Sequence, residues 1–173
     1  MTMLDALRAK AQVALKLQVH VDDIYRLAIF GNHSPTMFPD LENALLDGEI
    51  VYKKINDQDW IENKFLPKIQ QRGAEIIQSR GASSASSAAR AACETVSSVE
   101  NPTRSGDVFN AAILSDGSYG MAEGVFSGFP LTSDGMGNIN IVRDFSLSEF
   151  AKSRIVLTSN ELVEERELVK DLL

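Results

Sequence analysis

The spacing of apolar residues changes period after Val99, and that change limits the fold more than any other feature of the sequence. From Leu4 to Leu17 the apolar residues Leu4, Leu7, Ala11, Ala14 and Leu15 recur at helical spacing, with Lys10 and Lys16 elsewhere on the wheel. Helical patterning returns from Lys68 to Arg80 and, rich in Ala and Ser, from Ser83 to Val99, with Gly81 between the two. The pattern then becomes strand-like: Val108 to Leu114, Val125 to Leu131 and Ile139 to Val142, with Ser133-Asp134-Gly135 and Gly137-Asn138 marking a hairpin turn. Helices and strands segregated in this way predict an α+β domain, an antiparallel sheet packed with long helices.

Shorter segments complete the outline. Leu27 to Phe30 reads as a buried strand stopped by Gly31, followed by a loop through Pro35 and Pro39 that carries His33. Glu49 to Lys54 alternates as a strand would. Asn56 is placed to cap a helix containing Trp60, Ile61 and Phe65, which Pro67 must break or restart. Ser146 to Glu149 and Thr158 to Glu161 each have the form of a capping box, so two helices are expected at the C-terminus.

The 173 residues fit one domain, 1–173. Seventeen Lys and Arg against 24 Asp and Glu leave a formal charge of −7, which argues against nucleic acid or an anionic membrane surface as partner. Any anion must be caught locally. Cys93 is the single cysteine, so no intrachain disulfide can form. The N-terminus lacks a signal-peptide pattern and no apolar run reaches the length of a membrane span, so a cytoplasmic location is expected.

Few residues can carry chemistry. Asp5 and Arg8 lie three apart on the first helix, either as a surface ion pair or with separate tasks, the carboxylate orienting an imidazole and the guanidinium gripping a carboxylate. His20, between Val19 and Val21 beside a polar turn, reads as solvated or structural. His33 follows a buried strand directly, where a scaffold presents working side chains, and a working role and a plain loop histidine both fit it. A serine hydrolase would need a Gly-x-Ser-x-Gly elbow, which is missing. Two distant histidines and one cysteine make no metal site. No Gly-x-Gly-x-x-Gly or phosphate loop is present, and Gly117, Gly120 and Gly124 read as turn residues.

Taken together, Leu4-Asp5-x-x-Arg8 and Gly31-Asn32-His33-Ser34 resemble the catalytic half of malate dehydrogenases, in particular the cytosolic type. The resemblance continues through Gln70-Gln71-Arg72-Gly73-Ala74, the Ser83 to Ala89 run, Ser115-Asp116-Gly117 and Phe126-Ser127-Gly128-Phe129-Pro130. It departs at Ala6-Leu7, where His-Asn is usual, and at Ser86, where a larger apolar residue is common.

The resemblance implies the C-terminal domain fold of lactate and malate dehydrogenases and an NAD-dependent interconversion of malate and oxaloacetate. His33 would be the general base, Asp5 would hold its ring and stabilise the imidazolium, and Arg8 would clamp the carboxylate beside the reacting carbon. Ser84 matches a serine close to substrate and nicotinamide. The resemblance also implies a homodimer, and an NAD-binding Rossmann domain of roughly 150 residues that is absent from this chain, which would then be inactive alone. Two alternatives stay open: half of a related 2-hydroxyacid (lactate) dehydrogenase, and a non-catalytic dimerising module that keeps the fold.

Overall fold

The computed structural model describes residues 1–172. Helix α1 (Thr2–Leu17) ends where Gln18 turns left-handed, φ 57°, and returns its N–H to the Ala14 carbonyl. Its deepest stripe is Ala6, Ala9 and Val13, and these small side chains let the helix lie close to the strands behind it. The stripe expected from Leu7, Ala11 and Leu15 is only partly covered: Leu15 is 72% exposed, and Leu7 and Ala11 line a groove.

Strands β1 (Ile24–Tyr25), β2 (Ala28–Phe30), β3 (Phe38–Asp40), β4 (Leu45–Leu46) and β5 (Glu49–Ile50) form two small antiparallel sheets, β1-β4-β5 and β2-β3. The strand expected from Glu49 to Lys54 stops after Ile50, and helix α2 (Val51–Ile55) follows. Val51 and Ile55, four apart, are both buried, so the pattern read as alternation serves a helical turn instead. Asn56 does not cap the next helix. It closes α2 at φ 43°, and Asp57 accepts the Trp60 N–H at 3.0 Å to start α3 (Gln58–Trp60).

Pro67 stands in the first turn of a new α-helix, the restart expected there. From α3 the chain passes through a wide π turn, Ile61–Phe65, into α4 (Leu66–Arg80). The Leu66 N–H reaches back five residues to the Ile61 carbonyl. That loosens the turn where the proline ring would press on the Asn63 carbonyl of a regular α-helix. Gly81, at φ 70°, closes α4, and α5 (Ala85–Glu100) packs on α1.

Strands β6 (Phe109–Leu114), β7 (Phe126–Ser133) and β8 (Ile139–Ile141) pair antiparallel in that order, Ala112 facing Gly128 and Leu131 facing Ile141. The buried Asn110 side chain joins this sheet to β2, accepting the Ile29 N–H at 2.7 Å and donating to the Leu27 carbonyl at 2.9 Å. Gly31, just past β2, exchanges backbone hydrogen bonds of 3.2 and 2.8 Å with Gly128 of β7. A β-carbon on Gly128 would lie 2.6 Å from Thr2 Cγ2 and 2.9 Å from the Gly31 carbonyl oxygen, so α1, β2 and β7 meet this closely only around glycine.

The C-terminal part is one helix, α6 (Glu149–Leu168), where two were expected. Ser148, not Ser146, caps it, accepting the Ala151 N–H at 3.1 Å. The second capping box does not form because its side chains are engaged elsewhere: Ser159 accepts the Ala122 N–H at 2.9 Å, and Thr158 and Glu161 hold the loop that carries His33. The fold class is α+β, as the period change predicts. Among the described residues no helix is long and apolar enough to cross a membrane, and no group of three or more His, Cys, Asp and Glu could hold a metal ion.

Candidate active site

Asp5 sits in the first turn of α1 with no exposed surface, a position that the small side chains of α1 and the Gly128 junction hold against β2 and β7. His33 lies 28 residues further on, in the loop after β2, yet its Nδ1 is 2.6 Å from Asp5 Oδ2. A carboxylate can only accept, so Nδ1 is the donor in this contact, and in the neutral ring Nε2 would carry the lone pair. The His33 side chain is 42% exposed, and Nε2 makes no hydrogen bond among the described residues.

The other oxygen of Asp5, Oδ1, is buried without a hydrogen bond and lies 3.7 Å from Arg8 Nη1. Arg8 in turn has no protein acceptor within hydrogen-bond reach among the described residues, although its side chain is 15% exposed. Burial pushes the Arg8 pKa below its ordinary value, Asp5 opposes that and the nearby Arg72 adds to it. A guanidinium remains a cation at neutral pH all the same. It therefore offers an unfilled fork of donors in the lining of an open groove of about 590 Å³ between α1, α4 and α5.

Ser84 is the residue before α5, and its Oγ is buried but neither caps that helix nor bonds to anything among the described residues. No hydrogen bond ties it to Asp5, Arg8 or His33. His20, as expected, is solvated: its side chain is 72% exposed and accepts the Asp22 N–H at 3.4 Å. All three sheets are antiparallel, so the described residues contain no parallel strand, glycine turn and helix to hold a dinucleotide's pyrophosphate.

Two groups escaped the sequence reading. Gly31 stands at φ +94°, and a β-carbon there would lie 2.2 Å from Thr158 Cγ2; the next N–H, of Asn32, donates to Thr158 Oγ1 at 2.9 Å. Thr158 and Glu161 bear the signature of a helix start, which hid their contact with a loop more than 120 residues away. Asp40 is fully buried in β3, accepting from the Glu42 N–H and from Asn43 Nδ2, each at 2.8 Å. Burial outweighs those bonds and pushes its pKa up to about 6.

A buried carboxylate, an imidazole within 2.6 Å of it and an arginine without a hydrogen-bond acceptor thus lie together at the start of α1. Residues 2–173 match the lactate/malate dehydrogenase, alpha/beta C-terminal domain, and the chain belongs to that family. It is 46% identical over all 173 residues to the malate dehydrogenase of Magnetococcus marinus, covering 53% of that protein. Its fold superposes on malate dehydrogenase from Naegleria fowleri with a TM-score of 0.92 at 40% identity, covering 100% of this chain and 52% of that one. Against Trichomonas vaginalis lactate dehydrogenase, solved in complex with NADH and oxamate, the TM-score is 0.91 at 30% identity, over 99% of this chain and 53% of that one. The chain thus spans about half the length of the relatives it matches.

Proposed function

We propose that this chain is the substrate-binding and catalytic half of an NAD-dependent malate dehydrogenase, interconverting malate and oxaloacetate. The observation that carries the proposal is the 2.6 Å contact between Asp5 and His33 beside an arginine that has no acceptor of its own. His33 Nε2 takes the proton of the substrate hydroxyl, and in the reverse direction returns it to the carbonyl oxygen. Asp5, held through burial, stabilises the imidazolium that forms. Arg8 grips the carboxylate adjacent to the reacting carbon through two parallel hydrogen bonds. Ser84, whose Oγ is buried without a partner, is assigned to the substrate by the family resemblance. Bound NAD supplies the hydride acceptor, and a Rossmann domain outside this sequence would hold it.

The 46% identity to a malate dehydrogenase and the Gly31-Asn32-His33-Ser34 element favour malate. The likeness to a lactate dehydrogenase gives the second reading, a monocarboxylic 2-hydroxy acid. Exposed Leu15 on α1, Ile77 on α4 and Val96 on α5 favour cover by the rest of the enzyme and by a second copy in a homodimer. A lone cysteine fits a cytoplasmic location.

The test joins the chain to an NAD-binding domain from a malate dehydrogenase and compares malate with lactate. His33→Asn is expected to lower turnover roughly 100-fold or more with NAD affinity nearly intact, because a proton acceptor and not a cofactor contact is lost. Parent-level turnover in that variant would refute the assignment. A preference for lactate would select the second reading.

A further inference from the structure

The His33 backbone makes no hydrogen bond among the described residues, so its place depends on what its neighbours hold. Those neighbours are all tied to one helix. Glu161 Oε2 on α6 accepts from Ser34 Oγ at 2.5 Å, from Thr36 Oγ1 at 2.5 Å and from Asn32 Nδ2 at 3.3 Å. One carboxylate oxygen thus gathers the residue before His33, the residue after it and the one beyond Pro35. Thr158, one turn earlier on α6 and fully buried, accepts the Asn32 N–H and lies 2.9 Å from Thr36 Oγ1.

We infer that Glu161 is a positioning residue for His33: by clamping the 32–36 loop to α6 it holds the imidazole against Asp5 on α1. The inference rests on the reading of His33 as general base, but the clamp itself is a statement about geometry. Its logic is chemical. Hydroxyl and amide donors converge on an ionised acceptor, and bonds to a charged partner are shorter and stronger than neutral ones. Asp5 constrains the ring only at Nδ1, leaving rotation of the loop free unless a second element fixes the backbone on both sides. Glu161 makes no hydrogen bond or ion pair with the His33 imidazole among the described residues, so it acts through the loop.

The two claims separate experimentally. In the 173-residue chain, an Nδ1 proton donated over 2.6 Å to a carboxylate gives a proton resonance far downfield, assigned by its loss in His33→Asn and Asp5→Asn. In Glu161→Ala that resonance is expected to vanish or to exchange with water roughly 10-fold faster, with the amide spectrum otherwise folded. Glu161→Gln, which keeps an acceptor oxygen at the same reach, should restore most of it. Thr36→Val, which deletes one donor without changing shape, should fall between, and provides the test if Glu161→Ala does not fold. Glu164→Ala, an exposed neighbour, should leave the signal unchanged.

In the chain joined to a cofactor domain, Glu161→Ala should lower kcat roughly 10-fold and change KM for the dicarboxylate less than about 3-fold. An unaltered resonance in Glu161→Ala and Thr36→Val, or its absence from the parent chain, overturns the clamp. An unaltered kcat with a lost resonance overturns its role in positioning. A parent fusion without dehydrogenase activity overturns the functional reading and leaves the clamp to be judged by the resonance alone.

Discussion

Helices α1 and α5 have the same length, sixteen residues, and lie against each other, yet α1 buries eight residues and α5 only Ala91. The difference is not one of hydrophobic content in the usual sense. On α1 the small residues Ala6 and Ala9 are spent on close approach to strands of the same chain. On α5 the run Ala85 to Ala89 keeps equally small side chains turned mostly outward, with Val96 62% exposed. A surface of small residues flanked by an exposed valine admits another backbone at short distance. The junction of α1 with β2 and β7 is closed around Gly31 and Gly128, whereas α4 and α5 leave Ile77 and Val96 exposed.

The largest expected effect strikes the closed junction. Gly128→Ala forces a β-carbon onto the Gly31 carbonyl oxygen as well as Thr2, and two backbones cannot both give way, so a loss of about 3 kcal/mol is expected in urea unfolding. A variant as stable as the parent would show that α1, β2 and β7 are not locked there. Next, Val13→Ala on α1 should cost about 2 kcal/mol, and Val96→Ala on α5 less than about 0.5 kcal/mol while weakening self-association in sedimentation. Equal costs would erase the contrast between the two helices.

A pH slope from Asp40, buried in β3, falls between those two costs. Burial raises the folded pKa of Asp40 from the ordinary carboxylate value of 3.8 to about 6, so the fold prefers the protonated form. Its favourable contribution is complete below the unfolded value and is lost as pH rises through about 6. Lowering pH from about 7 to about 5 should therefore add roughly 1 kcal/mol from this group, and Asp40→Asn should remove that increment. Parallel stability profiles for parent and variant would contradict the burial argument.

What the sequence made legible follows from how local each signal is. The helices α1 and α5, the buried strand before Gly31 and the three-stranded antiparallel sheet were read from period and turn residues within a few positions. The Glu49 to Lys54 strand failed because Val51 and Ile55 satisfy both periods, and the split of α6 failed because Thr158 and Glu161 have a helix-start spelling but a distant partner. The same limit applied to the site. Composition and spacing left Asp5, Arg8 and His33 as isolated candidates, and only the family resemblance joined them. The contact of Asp5 with His33 depends on the Gly31 and Gly128 junction, a long-range packing fact that no window of sequence contains.

The π turn at Ile61–Phe65 has a consequence for how this helix can change over generations. It acts as one surplus residue in a helical count, shifting the phase of everything after it, so the buried Ile69 and the groove-facing Arg72 keep their directions only while the surplus is kept. Removing a single residue there would tighten the turn to regular pitch and bring the Pro67 ring against a carbonyl. Replacing Pro67 alone would remove the reason for the wide turn without removing the extra residue. Turn and proline therefore form a linked pair, and a lineage that loses one is expected to have lost or moved the other.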